Sequence, residues 1–451
     1  MRQVRKGRAQ VSAQPAAANE VRAQPVDPFG TGSGVTGRYI VTFAETDSDA
    51  AVRTVLKFGG AKMAVSTARD DLAAANVPDS GVYFDRLGIA VVNVDPGAAG
   101  SLMASSAADA GILSVEPEPI VYAIGAGGSV SEELAAYLRG YRDGVRDAIA
   151  KVLGDDEGIA STQAAAWDEA RETWGLQATR VLQSRFTGRG IRVAVLDTGI
   201  DFTHPDFLSR AIIHRSFIEG EEVQDGNGHG THCAGTACGP RAAAVPPRFG
   251  IACDAELYVG KVLANSGFGA AGSVLDGINW AVGEGCHIVS LSLASQIRPG
   301  NGPLAFYEAA GQRALAAGTL LIAAAGNDSR RPGLVQPVSA PANSVSIMSV
   351  AALAQDMAVA HFSNGGVNAG GGGIDIAAPG VDVHSSWPLP TRYRSISGTS
   401  MATPHVAGIA ALHAEADPSL RGMALWSKLT ASARRLSGSA QDIGSGLAIA
   451  P

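Results

Sequence analysis

The clearest pattern along the chain is a series of short, largely apolar runs in its second half. These runs are RVAVL (192–196), ELYVGKVL (256–263), HIVSLSL (287–293), TLLIAAA (319–325) and SVSIMSVAA (344–352). Stretches with helical patterning lie between them, including 273–284 and 304–317. Runs of this kind are typical of strands buried on both faces. Residues 167–451 are therefore predicted to form an α/β domain, a parallel sheet sandwiched by helices.

The first part of the chain has a different pattern. Residues 1–36 are rich in Ala, Gln, Pro and Gly, which predicts a disordered lead. Residues 37–124 then alternate in the order β-α-β-β-α-β, a small α+β sandwich of the ferredoxin-like kind. Its predicted elements are a strand at 39–43, a helix at 49–58, two strands within 82–95 around a turn at Leu87-Gly88, a helix at 97–110 and a strand at 112–124.

Residues 125–166 connect the two parts and are predicted to be a helical linker. Within 129–153, Ser129 and Glu132 have the spacing of a capping box, and apolar residues recur every three or four positions. An apolar stripe of this kind must be covered by another apolar surface. A helix docked on its own protein is the favoured interpretation, and a partner-binding helix is the alternative.

Composition narrows the range of partners. The chain has 451 residues, of which 46% are hydrophobic, and its formal net charge is −7. It has no dense basic block beyond the first few residues, so nucleic acid is not an expected partner. No run reaches the ~18 apolar residues of a membrane helix, and no apolar run of ~7–15 residues follows the first basic residues as in a secretory signal. The sequence as written is therefore expected to be cytoplasmic, with no membrane contact.

Four cysteines, Cys233, Cys238, Cys253 and Cys286, lie in the second half of the chain. So few cysteines in a long chain do not make a disulfide scaffold, although one or two bridges remain open. Their spacing fits no standard zinc pattern, and no metal ligands are predicted from them.

Three polar blocks carry candidate chemistry. Asp197 directly follows a buried strand, His229 lies among glycines at the start of a helix, and Ser400 follows a Gly-Thr turn at the start of an apolar helix. Taken singly, they could be a turn cap, a loop histidine and a helix N-cap. Together they supply the orienting carboxylate, general base and nucleophile that acyl transfer requires. We therefore predict that these three residues form a catalytic triad.

The surrounding residues are similar to the signature blocks of the subtilase family of serine peptidases. The matching segments are DTGID (197–201), HGTHCAGT (229–236), AAAGN (323–327), AAPG (377–380), GTSMATPHVAG (398–408) and GSGL (444–447). The order Asp…His…Ser is also that of subtilisin. The resemblance covers roughly 167–451, and it implies a serine endopeptidase that cleaves polypeptides through an acyl-enzyme.

The resemblance also assigns candidate roles around the triad. Asn327 matches the family's oxyanion-hole donor, whereas its ordinary role would be to hold a tight turn. The segment Ser292, Leu293 and Ala294 matches an edge that pairs with an extended peptide, although Ala294 and Ser295 stand where glycines are common. Residues Ala324, Ala325 and Gly326 would form the opposite wall of the specificity pocket.

The N-terminal sandwich resembles the subtilisin propeptide, which is also found as a stand-alone peptidase inhibitor. The resemblance implies a precursor that is inhibited by its own propeptide, whose tail would lie in the substrate cleft and be cleaved near Ala123. No cofactor is certain. Calcium is possible because Asp206 matches a calcium ligand of many subtilases, but the Asn-rich loop that completes that site is not recognisable in 237–252.

Two alternative functions stay open at this point. A catalytically silent protein of the same fold could act as a binding or inhibitory module. A peptide-tailoring transacylase would form the same acyl-enzyme but pass it to an amine.

Overall fold

The computed structural model describes residues 34–44, 64–66, 81–94, 100–101, 104, 111–124, 167–295, 302–368 and 370–451. The predicted linker at 125–166, the helix at 49–58 and nearly all of the lead lie outside the described residues. Of the predicted helix at 97–110, only residues 100, 101 and 104 are described, and these are helical.

The N-terminal part contributes five strands to a small sheet. They are β1 (Val35–Phe43), β2 (Ala64–Ser66), β3 (Gly81–Phe84), β4 (Ile89–Val92) and β5 (Ile112–Ala123), in the spatial order β5-β1-β4-β3-β2. The pairs β5-β1, β1-β4 and β4-β3 are antiparallel, and β2 is parallel to β3. The first strand begins at Val35, four residues before the predicted start, where Val35 pairs with Pro119 across an irregular register. The predicted turn at Leu87-Gly88 joins β3 to β4.

The second half contains a seven-stranded sheet in which every neighbouring pair is parallel. In spatial order the strands are β14 (Ile376–Pro379), β13 (Met348–Leu353), β12 (Leu320–Ala324), β10 (Ile288–Leu291), β6 (Arg192–Asp197), β8 (Glu256–Lys261) and β7 (Ile212–Ser216). All five predicted strands are present. The pattern missed β7, a half-exposed edge strand, and β14, whose four residues are too short a run to stand out.

Helices cover both faces of this sheet. In the described residues from 167 onwards, the α-helices are α1 (Trp174–Ala178), α2 (His229–Cys238), α3 (Ala271–Gly283), α4 (Ala305–Ala316), α5 (Thr399–Ala416), α6 (Gly422–Ser432) and α7 (Ala440–Ile443). In β6, Ala194 and Leu196 pack on the side of α3 and α4, while Val193 and Val195 pack on the side of α2 and α5. Because both faces are buried, successive strand residues are all apolar, which explains the runs in the sequence. No helix among the described residues is long and apolar enough to cross a membrane.

The small sheet packs directly on α3 and α4 through a shared apolar cluster that includes Ile40, Phe84 and Val91. Two carboxylates of β5 also accept hydrogen bonds from helix N-termini. Glu118 accepts from the backbone N–H of Gly272 at 2.8 Å, and Glu116 accepts from the first two N–H groups of α4 at 3.1 and 3.2 Å. Such N–H groups have no partner within their own helix, so these contacts fix the position of β5.

The C-terminal end of β5 leaves the small sheet and lies between two short strands of the second half. These strands are β9 (Phe268–Ala270) and β11 (Leu293–Ala294), and both pair with β5 in antiparallel fashion. A further hairpin is formed by β15 (Val383–Ser386) and β16 (Tyr393–Ile396). The strands β9 and β11 therefore form the two sides of a cleft that the end of β5 fills.

Candidate active site

Asp197 and His229 form a hydrogen-bonded pair at the carboxyl edge of the parallel sheet. Asp197 is the last residue of β6, and His229 is the first residue of α2. His229 Nδ1 lies 2.8 Å from Oδ1 and 3.0 Å from Oδ2 of Asp197. Burial alone disfavours the imidazolium, but the adjacent Asp197 carboxylate outweighs it, so the pKa of His229 is raised well above its usual value. The pair can therefore stabilise a proton on the imidazole.

A second buried carboxylate, Asp225, holds the two elements of this pair in place. It accepts five hydrogen bonds, which come from the Thr198 hydroxyl, the N–H groups of Asn227 and Gly228, and both the N–H and the hydroxyl of Thr231. Thr198 follows Asp197, and the other donors surround His229. The turn before α2 also requires Gly228, whose φ is +108°. Asp225 was not predicted from the sequence, although it lies four residues before His229 in DGNGH (225–229).

Ser400 is the second residue of α5 and enters the same cleft. Its Oγ lies 2.6 Å from the carbonyl oxygen of Ile124, to which it donates, and 3.1 Å from the carbonyl oxygen of Ser292. Cys233 Sγ lies 3.9 Å from His229 Nδ1 and 3.6 Å from the Ser400 carbonyl oxygen, so α2 and α5 approach each other here. His229 Nε2 is buried and has no hydrogen-bond partner in the described part of the chain.

Cys233 itself is fully buried. Burial raises the pKa of this thiol, so that its neutral form is favoured. A neutral, buried thiol is a packing residue and not a nucleophile.

The side-chain amide of Asn327 donates to the carbonyl oxygen of Ile124, the atom that also accepts from Ser400. Its Oδ1 accepts from the N–H and from the hydroxyl of Thr399, both at 2.9 Å. Because these two donors select the oxygen end of the amide, Nδ2 faces the Ile124 carbonyl and donates to it at 3.2 Å. Two donors, the Ser400 hydroxyl and the Asn327 amide, therefore meet on one carbonyl oxygen. Thr399, which sets the orientation of the amide, was not singled out from the sequence.

The segment that ends at the Ile124 carbonyl is hydrogen-bonded to the backbone on both of its sides, as a peptide bound in a cleft would be. Ala123 N–H donates to the Gly267 carbonyl at 2.9 Å, and Ile124 N–H donates to the Ser292 carbonyl at 3.4 Å. Leu293 pairs with Ala123 across β11. The side of the cleft formed by β9 was not predicted, since the segment SGFGA (266–270) has no strand periodicity.

The predicted pocket residues separate into two groups. Ala294 and Ala324 pack against the side chain of Ile124. Ala325 lies instead in the core cluster on the side of α3 and α4. Gly326 leaves no room for a side chain, because a Cβ there would come within 2.2 Å of Asn364 Nδ2. The side chain of Ile124 is therefore buried in apolar surroundings.

The surroundings of Asp206 do not fit a calcium site. One carboxylate oxygen accepts from the Ala244 N–H at 2.6 Å, and the other accepts from the Tyr393 hydroxyl at 3.0 Å. Calcium needs six or more oxygen ligands, whereas here protein donors take both carboxylate oxygens. The resemblance that suggested calcium at Asp206 is thus not matched by the residues around it.

An extended strand whose last carbonyl meets a serine hydroxyl, beside a buried aspartate–histidine pair, defines a peptidase of the serine class. The particular family follows from comparison with known sequences. Residues 188–446 match the model of the subtilase family, and the chain belongs to that family. The protein is thus a serine-type endopeptidase on a subtilisin-like α/β fold.

Several named relatives are similar over much of the chain. An alkaline protease of Alkalihalobacillus alcalophilus is 41% identical over 301 residues, which cover 66% of this chain and 72% of the relative. Subtilisin Savinase of Lederbergia lenta is 42% identical over 278 residues, which cover 61% of this chain and 95% of the relative. The alkaline elastase YaB of Bacillus sp. (strain YaB) is 40% identical over 278 residues, which cover 61% of this chain and 68% of the relative.

Proposed function

We propose that the chain hydrolyses peptide bonds through an acyl-enzyme formed on Ser400, with His229 as general base and Asp197 as the carboxylate that orients it. The observation that carries this proposal is the position of the Ile124 carbonyl. Its oxygen lies between the Ser400 hydroxyl and the Asn327 amide, at the end of a strand that is paired on both sides. A substrate carbonyl in this place would meet a nucleophile and an oxyanion donor together.

The reaction follows from these contacts. The Ser400 hydroxyl turns to His229 Nε2, which takes its proton as Oγ attacks the carbonyl carbon. Asn327 then donates to the oxyanion, and the Asp197 carboxylate stabilises the imidazolium. His229 next gives the proton to the leaving amine. Water then attacks the acyl-enzyme and gives a proton to His229, and Ser400 takes that proton back as it leaves the acyl group.

We further propose that the chain is made as a self-inhibited precursor whose N-terminal sheet is the propeptide. The support is that β5 itself occupies the cleft, while Glu116 and Glu118 accept from the N-termini of α4 and α3. The bond to be cut is then Ile124–Gly125, one residue beyond the position near Ala123 expected from sequence. Polypeptides with an extended segment are the substrates once this strand leaves.

Labelling with a fluorophosphonate probe tests the nucleophile. The wild-type chain and a Ser427→Ala control, altered at an exposed position of α6, should label, and Ser400→Ala should not. The wild-type chain should mature to a form beginning at Gly125, as read by N-terminal sequencing, while Ser400→Ala stays at full length.

Other outcomes favour the alternatives. An unlabelled wild-type chain would favour the silent binding module. Mass spectrometry that finds new amide bonds in place of hydrolysis products would favour a transacylase. Maturation of Ser400→Ala at Gly125 would show that another protease cuts the chain.

A further inference from the structure

Tyr122, which lies two residues before Ile124 in the bound segment, has an aromatic neighbour across the cleft. In the antiparallel pairing of β5 and β9, Tyr122 lies directly opposite Phe268. Their ring centroids are 6.5 Å apart and the ring planes are tilted by 54°. Side chains directly opposite each other in an antiparallel pair contact on the same face, and tilted rings at this distance attract each other.

The opposite wall of the cleft is different. In the pairing of β5 with β11, the residue opposite Tyr122 is Ala294. Ala294 also packs against Ile124, and Tyr122 is partly buried against this small cluster. A side chain at the position of Tyr122 therefore has a methyl group on one side and a phenyl ring on the other.

Phe268 is the one large side chain that β9 can present to the cleft. Its neighbours are both glycines, and neither can be replaced without strain. Gly267 has a φ of +84°, and a Cβ at Gly269 would lie 2.5 Å from the Val262 carbonyl oxygen. Because Phe268 is itself only half-buried, its ring stays accessible to a peptide that replaces β5.

We propose that Phe268 selects substrates with an aromatic side chain at the third residue before the cleaved bond. The inference rests on the proposed peptidase function and adds a substrate class to it. The preferred segment is extended, has an aromatic residue at the place of Tyr122 and has a branched aliphatic residue at the place of Ile124. The residue at the place of Ala123 makes its own backbone bond to Gly267 and does not contribute to this preference.

The expected preference follows from the strength of an aromatic pair. Such a pair contributes enough beyond its buried area to change a rate or an equilibrium about 2- to 12-fold. The effect should appear in kcat/KM, since the ring contact is present both in the bound substrate and in the transition state.

The test compares two substrates in the wild-type enzyme and in Phe268→Ala, with two further variants as controls. Each enzyme is expressed as the full chain and assayed after maturation. One internally quenched peptide carries Ile-Val-Tyr-Ala-Ile before the cleaved bond, and the other has Ala in place of Tyr. The preference is the ratio of kcat/KM for the Tyr peptide to kcat/KM for the Ala peptide. This ratio should be about 2- to 12-fold larger in the wild-type enzyme than in Phe268→Ala. Phe268→Tyr should retain the preference, and Met423→Ala, at an exposed position of α6, should leave it unchanged.

Equal preference in the wild type and in Phe268→Ala would overturn the inference while leaving the peptidase function intact. The fluorophosphonate probe could label the enzymes at Ser400 while none of them cleaves either peptide. In that case the strand between β9 and β11 would not represent a substrate, and the inference would be wrong. Failure of the probe to label would overturn the proposed function itself.

Discussion

Replacing Asn327 by alanine tests the oxyanion contact most directly. In the structure Nδ2 donates to a neutral carbonyl at 3.2 Å, a long contact that contributes little to binding of the ground state. Hydrogen bonds to an ionised acceptor are shorter and about twice as strong, so the donor acts mainly when negative charge develops on the oxygen. In subtilisin, removal of one such donor costs about 10²–10³ in kcat, or about 2.7–4 kcal/mol. We expect the same loss here, with KM nearly unchanged.

The measurement is steady-state cleavage of a quenched peptide by the matured enzymes. Gln312→Ala, which removes an exposed amide side chain on α4, is the matched control and should keep wild-type kinetics. The midpoint of thermal unfolding should be compared as well, because Asn327 also accepts two bonds from Thr399. A variant that loses activity but keeps its thermal midpoint has lost the donor and not the fold.

Two results would refute this reasoning. A loss in kcat of less than about 10-fold would show that Asn327 does not donate to the developing oxyanion. A rise in KM with kcat unchanged would show that the amide binds the substrate equally in the ground and transition states.

Two further predictions concern the histidine and the calcium question. Asp197→Asn should lower kcat by about 10⁴ and move the acid limb of the kcat/KM profile to lower pH. The carboxylate raises the pKa of His229, so without it the imidazole becomes neutral at a lower pH, and a limb that stays in place or moves up would contradict the assignment. EDTA should change the thermal midpoint of the wild-type protein and of Asp206→Asn by the same amount, because protein donors occupy both oxygens of Asp206. A calcium-dependent rise in the midpoint that disappears in Asp206→Asn would show that the ion displaces those donors.

Much of the catalytic half could be predicted from local patterns. Strands such as β6 and β12 are buried on both faces, so their composition alone marks them. Asp197, His229 and Ser400 each follow a recognisable transition from strand or turn to helix, and their residue types suffice to suggest the chemistry. Edge strands such as β7 were missed because a half-exposed strand carries polar side chains that break the apolar run.

The sequence by itself determined the five inner strands of the parallel sheet and suggested which side chains could carry the chemistry, because burial and turns leave signals within a few residues. Only the tertiary structure decided what lies in the cleft. The pairing of β5 with β9 and β11 joins Tyr122 to Phe268 and Ala294, positions far apart in the chain, and no local pattern encodes such a contact. The register of that pairing sets Ile124, and not Ala123, against Ser400, since a shift of one residue in a strand exchanges the faces of its side chains.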